Sequence, residues 1–313
     1  MKKPSANAAN WGMLVLLGLI WGSSFILIKK GLVGLSAIQV ACLRIVISMI
    51  ALSPLLLKHL SKVPKDKWLA IFGVGFFGSG MPPFMFAIAQ TRIDSGLTGI
   101  INATTPLFAF LLGILFFGLL FQWIKLAGVV MGLAGSAVLI LLGTGGVDWS
   151  TYGYGALILV ATIGYGTSAN IIGRYLKSVN PLTISAVSFL MIGIPALAVL
   201  LSTDFIPRIT AQPEARVSLG YVAILGVIGT GYASVIFFYL TQRTNALFAS
   251  TVTYLIPVVA LLWGAVVGEI ITPWHFVGMI LILLGVYLSS NRAARLWQRL
   301  WQKSPHSPAS AER

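Results

Sequence analysis

The sequence is poor in charge and poorer still in acids. Of 313 residues only 9% are charged, and only seven are Asp or Glu. Soluble domains carry roughly 25% charged residues, so a soluble globular domain is excluded. The single cysteine, Cys42, leaves no internal disulfide and no cysteine metal site; it reads as a small buried apolar residue. The three histidines, His59, His275 and His306, fall in loops or the tail and make no ligand cluster. No phosphate-binding loop, metal pattern or catalytic triad occurs. No convergent acidic, histidine or Ser–Lys set lies within the apolar segments, so enzyme, metal and cofactor chemistry are not expected. Long polar faces and low-complexity linkers are also missing. The formal charge of +14 would indicate nucleic acid in a soluble protein, but here no polar face exists to carry it.

What is present is apolar. The chain is 58% hydrophobic, with a mean hydropathy of +0.94. Crossing a bilayer takes about 20 apolar residues as a helix, whereas a β-barrel shows short alternating segments. The runs here are long and continuous. They predict an all-α integral membrane protein of about ten transmembrane helices, near 11–29, 35–57, 68–90, 95–118, 123–142, 152–174, 181–202, 217–240, 246–268 and 274–290. Lys2 and Lys3 before an apolar run imitate a signal peptide. The run from Trp11 to Ile28 is too long for one and has no small-x-small cleavage site, so it is expected to stay as the first span.

The chain repeats itself. Residues 90–128, QTRIDSGLTGIINATTPLFAFLLGILFFGLLFQWIKLAG, resemble residues 241–278, TQRTNALFASTVTYLIPVVALLWGAVVGEIITPWHFVG. At a constant shift Arg92 meets Arg243, Asp94 meets Asn245 and Pro106 meets Pro257. The same shift carries Gly75, Gly78 and Gly80 onto Gly226, Gly229 and Gly231. Upstream, Trp21-Gly22-Ser23-Ser24 meets Tyr165-Gly166-Thr167-Ser168. Two repeats are expected, 11–142 and 152–290, with a basic cytoplasmic tail at 291–313. Five spans per repeat means that the second enters the membrane from the opposite side. Such inverted halves are a transporter signature, placing a central site at their interface and opening it alternately to each side.

The basic residues orient the chain. With the N-terminus in the cytoplasm, the inside segments hold fifteen of them: Lys2, Lys3, Lys58, Lys62, Lys65, Lys67, Lys125, Arg174, Lys177, Arg243, Arg292, Arg295, Arg299, Lys303 and Arg313. The outside holds five, Lys29, Lys30, Arg92, Arg208 and Arg216. This bias predicts both termini in the cytoplasm of a plasma (bacterial inner) membrane protein. In the tail, Leu296, Trp297, Leu300 and Trp301 share a helical face ringed by Arg and Lys. The tail reads as an interfacial helix on anionic lipid or as a solvated basic tail.

Several residues are candidates for the site. Pro106 and Pro257 each deprive the carbonyl four residues earlier, of Asn102 and Thr253, of its helical donor. Mid-membrane this is costly unless the carbonyl faces protein or a wet cavity. Both prolines are therefore expected as kinks beside a cavity, with Asn102, Thr105, Thr253 and Tyr254 as its polar lining. Trp21, Ser24, Tyr165 and Ser168 combine aromatic faces and hydroxyls inside spans; they either bind a ligand or pack helices. Asn170 and Gln90 are polar but fall near the expected helix ends. Arg44 is the one basic residue well inside a span. It either holds an anionic group such as a carboxylate or satisfies carbonyls at a helix end. Glu269 ends the ninth span, and is a possible coupling group or an interfacial cap. Gly128 with Gly132, and Ala260, Gly264 and Gly268, form small-xxx-small rows for helix contact.

Taken together, the chain resembles the EamA family of the drug/metabolite transporter superfamily over about residues 11–290. The likeness rests on WGSSFILIK in the first span, Arg44 in the second, TTP and LIP in the fourth and ninth, and GE before a glycine-rich tenth. It implies ten helices in a basket-like bundle around a central cavity, both termini cytoplasmic, and export of small metabolites, often amino acids or related compounds. Leu119 stands where family members often carry a glutamate, which argues against a symmetric glutamate pair. With little charge but many hydroxyls and aromatics, the expected cavity suits a neutral or zwitterionic solute, or a lipophilic cation. A phosphate would want several cations at depth. The expected partners are a small-molecule substrate and membrane lipid, with the chain a monomer or a homodimer. A flippase for a lipid-linked sugar is the alternative.

Overall fold

A computed structural model describes residues 6–93, 95–141, 152–266 and 273–289. Within them the chain is helical and no strand occurs among the described residues. Ten apolar spans follow the expected boundaries closely. Spans 1 and 2 are Ala6–Gly31 and Ala37–His59. Span 3 is Trp68–Gly75, a π-helical Phe76–Gly80 and Met81–Ala89. Span 4 is Ser95–Asn102 and Thr105–Phe117, and span 5 is Trp123–Leu141. Spans 6 and 7 are Tyr152–Tyr175 and Pro181–Leu201. Span 8 is Pro213–Ile224, a π-helical Leu225–Tyr232 and Ala233–Arg243. Span 9 is Ala246–Ser250 and Val252–Val266, and span 10 is Pro273–Leu288. The connection between spans 7 and 8, expected to be a loop, contains a short helix, Phe205–Ala211. Six spans are long and apolar enough to cross a membrane, and four shorter apolar helices complete the set.

Local chemistry sets the ends. Asn180 caps span 7, its Oδ1 accepting from the Leu182 N–H at 2.9 Å, with Pro181 at the first turn where its missing N–H costs nothing. Asn245 caps span 9 in the same way through the Phe248 N–H at 2.8 Å. Span 4 ends at Gly118, whose φ of +68° is a left-handed value that glycine adopts without penalty.

The packing exposes the repeat. Span 1 lies on spans 8 and 9, and span 6 lies on spans 3 and 4. Span 2 touches spans 7 and 8, and span 7 touches spans 2 and 3. Spans 5 and 10 pack together, as do spans 4 and 9. Exchanging the two halves maps these contacts onto one another, whereas span 6 also packs on spans 8 and 9, and span 5 on span 9, more closely than their exchanged counterparts do. Small residues permit the close approaches, because lipid gives helices no hydrophobic reason to associate and van der Waals contact must do so. A Cβ on Gly22 would lie 2.6 Å from the Val259 Cβ, and one on Gly166, its counterpart, 2.8 Å from the Ala109 nitrogen. The outward surface is apolar, with Leu69 81% and Leu115 70% exposed, as lipid contact requires. Glu269, Gly268 and the 291–313 tail lie outside the described residues, and so do the surroundings of Ala260 and Gly264.

A central cavity between the two halves

Both π-helical segments face the middle of the bundle, at positions related by the repeat. A π segment adds a residue to the turn and misaligns helix carbonyls, and such segments are frequent at functional sites. Here the side chains of the opposing spans use the resulting space and acceptors. The Trp21 Nε1–H donates to the Gly229 carbonyl at 2.8 Å. Ser48 donates to the Gly226 carbonyl at 2.7 Å, and Ser168 to the Val74 carbonyl at 3.3 Å. A Cβ on Gly78 would press on the Ser168 hydroxyl, and one on Gly229 would sit 3.1 Å from the Ser24 hydroxyl. These two pairs are the same contact in the two repeats.

The segments border a cavity with an empty volume of about 870 Å³, the open space at its mouth included. Spans 1, 2, 3, 4, 6, 8 and 9 contribute to it. Of the residues expected there, Trp21, Ser24, Arg44, Asn102, Thr105, Tyr165, Ser168 and Thr253 line it. Sequence reasoning missed Gly78, Ser79, Phe86, Thr230, Ser234, Phe237, Phe238 and Ser250, which also line it. The repeated glycines of spans 3 and 8 were their signal, since they mark where the helices change period.

Two aromatic groups, joined through Trp21 and Phe25 one turn apart on span 1, form part of the wall. Phe86 stands between Phe25 and Tyr165, at ring-centroid distances of 6.1 and 5.9 Å. Trp21 lies 5.4 Å from Phe237. Polar lining comes from buried neutral groups. The Thr105 hydroxyl donates at 2.7 Å to the Asn102 carbonyl, which Pro106 has deprived of its helical donor. The Asn102 amide nitrogen has no protein partner among the described residues. Arg44 donates through Nε to the Thr230 hydroxyl across the span 2–span 8 contact. It does not cap a helix end. No Asp or Glu is among the cavity-lining residues, and no cluster able to hold a metal occurs among the described residues.

Three expectations are corrected. Tyr254 does not line the cavity: it is fully buried against Gly132, and its hydroxyl donates to the Val129 carbonyl of span 5 at 2.9 Å. Pro257 lies inside the continuous helix Val252–Val266, and span 9 breaks at Thr251. The two breaks are therefore not equivalent. In span 9 the hydroxyls of Thr251 and Thr253 take the Phe248 and Ser250 carbonyls at 2.6 and 3.0 Å, so hydroxyl competition for helix carbonyls sets the break there. Neither Pro106 nor Pro257 borders the cavity itself. Asn170, near the end of span 6 as expected, is nonetheless buried and donates to the Ala109 carbonyl of span 4 at 2.8 Å.

The model of the EamA-like transporter family matches twice, at residues 10–141 and 153–291. The chain belongs to the EamA-like transporter family. Among the relatives of this EamA-like transporter is an inner membrane transporter, YedA, of Escherichia coli K12. It is 29% identical over 295 residues, covering 89% of this chain and 92% of that protein. A probable amino-acid metabolite efflux pump of Salmonella typhimurium is 26% identical over 286 residues, covering 88% and 93%. A crystal structure at 19% identity superposes with a TM-score of 0.70 over 92% of this chain and 99% of its own, a likeness of fold. The EamA-like chain is thus a multi-pass membrane transporter of small molecules, from a family whose members are named as transporters and not as enzymes.

Proposed function

We propose that this protein is a secondary transporter that exports small amphipathic metabolites, amino acids or related compounds, across the plasma membrane by alternating access. The carrying observation is the cavity lined by spans of both halves and walled by aromatics, hydroxyls and one amide, with a single cation. A wall built from both repeats changes its access when the halves rock against each other. Its neutral polar groups orient an amphipathic solute without holding it too tightly to release. Asn102 presents a buried amide at the span 4 break and serves as a principal contact. The excess of basic residues on one side supports both termini in the cytoplasm, and the efflux function named for the Salmonella relative supports the outward direction.

The test compares medium and cell contents by untargeted mass spectrometry in cells expressing the wild type or Asn102→Leu at equal membrane levels. A small set of amino acids or related metabolites is expected outside only with the wild type, falling at least about tenfold in the variant as a buried hydrogen-bonding group is lost. Equal profiles would remove the assignment.

A further inference from the structure

The one charge in the cavity has no counter-charge. Among the lining residues Arg44 alone is charged. Its Nε is used by Thr230, and its two terminal nitrogens have no hydrogen-bond acceptor among the described residues. A guanidinium stays protonated and presents its donors as a planar fork that matches a carboxylate with two parallel bonds. Left alone in a low-dielectric site it is costly, and a carboxylate filling the fork removes that cost.

The same cavity offers an ammonium group no counter-charge. Helix carbonyls freed at the breaks already have donors: Gly229 has Trp21, Asn102 has Thr105 and Ser250 has Thr253. No carboxylate lines the wall. Net charge then discriminates. A monoanion closed in with Arg44 leaves an uncharged complex, a zwitterion leaves one positive charge and a cation leaves two, each unfavourable away from water. Ser24, Ser168 and Thr253 have given their protons to helix carbonyls. What they keep is lone pairs, which suit the neutral N–H or O–H of a substrate.

We propose that the transported compounds are monocarboxylates without a free ammonium group, their carboxylate on the Arg44 fork and an apolar or aromatic body against the Phe86 and Trp21 rings. A hydroxyl or acylated amine next to the carboxylate meets the hydroxyl lone pairs. This rests on the cavity being the transport site, and narrows it from amino acids to their deaminated or acylated relatives.

The test is equilibrium binding to the full-length protein in lipid nanodiscs, with four probes of matched shape: N-acetylphenylalanine, 3-phenylpropanoate, phenylalanine and 2-phenylethylamine. Both acids are expected to bind at least about tenfold more tightly than phenylalanine, and the amine weakest. Arg44→Gln is expected to lose roughly 10- to 100-fold in affinity for the acids, the range for a hydrogen bond to a charged group. Arg44→Lys keeps the order of the probes with weaker binding, because it keeps the charge and loses the fork. Should Arg44→Gln not assemble, the order of probes on the wild type and on Arg44→Lys decides. Phenylalanine binding as well as its N-acetyl derivative, binding of neither acid, or acid affinity unchanged in Arg44→Gln would each overturn the proposal. Tight phenylalanine binding that Asn102→Leu abolishes would overturn the charge assignment while leaving the exporter reading standing.

Discussion

Tyr254 shows what separates a residue of the wall from a residue of the cavity. Its neighbour Thr253 lines the cavity, and one step along the helix turns Tyr254 toward span 5. Its hydroxyl satisfies a helix carbonyl and its ring fills the space over Gly132. Tyr254→Phe keeps the ring and removes the hydrogen bond. It is expected to lower stability by about 1 kcal/mol and leave efflux unchanged, measured by thermal unfolding in detergent beside the efflux assay. Loss of efflux at normal stability would return Tyr254 to the site. Gln90 is the opposite case: buried, with neither amide atom partnered among the described residues, yet outside the cavity lining. Residue type marked Tyr254 as a polar candidate, and position set Gln90 aside as lying near a helix end. Only the angular position of each side chain on its helix distinguishes them, and that depends on how the helix is rotated against its neighbours.

At the scale of elements, the bundle is held by backbone proximity. Spans 5 and 10 show this most plainly. A Cβ on Gly285 would lie 2.5 Å from the Gly132 nitrogen and 2.7 Å from the Gly128 oxygen, both backbone atoms that no side-chain rotation can move aside. Gly285→Ala therefore has to separate the two helices. It is expected to cost roughly 1–3 kcal/mol or more by overpacking, seen as a lower unfolding temperature in detergent. Gly153→Ala is the control, since nothing lies within 4 Å of its Cβ position, and it is expected to have no effect. The row Gly128 and Gly132 was readable from sequence as a contact surface, but its partner was not, because small-residue spacing carries no address. The same holds for the π segments. Their glycines repeat at a fixed shift, yet a change of helix period appears only when the carbonyls of one span meet donors from another, as Gly229 meets Trp21 and Gly226 meets Ser48.

At the scale of the molecule, the connection between spans 7 and 8 ties the halves at one end. Gln39 of span 2 donates to Asp204 at 2.8 Å, and Arg208 donates to the same carboxylate at 2.8 Å. The Arg208 bond first, with smaller help from Gln39, holds this carboxyl below its ordinary range. A depressed carboxylate contributes stability that is present above its unfolded-state pKa and lost as pH falls through the folded one. Acidification below the usual carboxylate range should thus loosen this end, read as faster amide hydrogen exchange at 203–216. Asp204→Asn is expected to exchange faster at neutral pH and to lose the acid dependence. An unchanged pH response in the variant would assign the effect elsewhere.

The sequence by itself determined the membrane class, the ten spans, the doubling written into the chain and several of the residues around its centre. These follow from composition, from run length against bilayer thickness and from a repeat written in matched glycines, aromatics and hydroxyls, all properties of the chain read in one dimension. The tertiary structure alone decided that Arg44 meets Thr230, that Thr251 and not Pro257 breaks span 9, and that Tyr254 belongs to the span 5 contact. Each depends on which helix face meets which neighbour. In a membrane that choice is made by backbone fit and by the satisfaction of individual carbonyls, since hydrophobic patterning has no water to point away from.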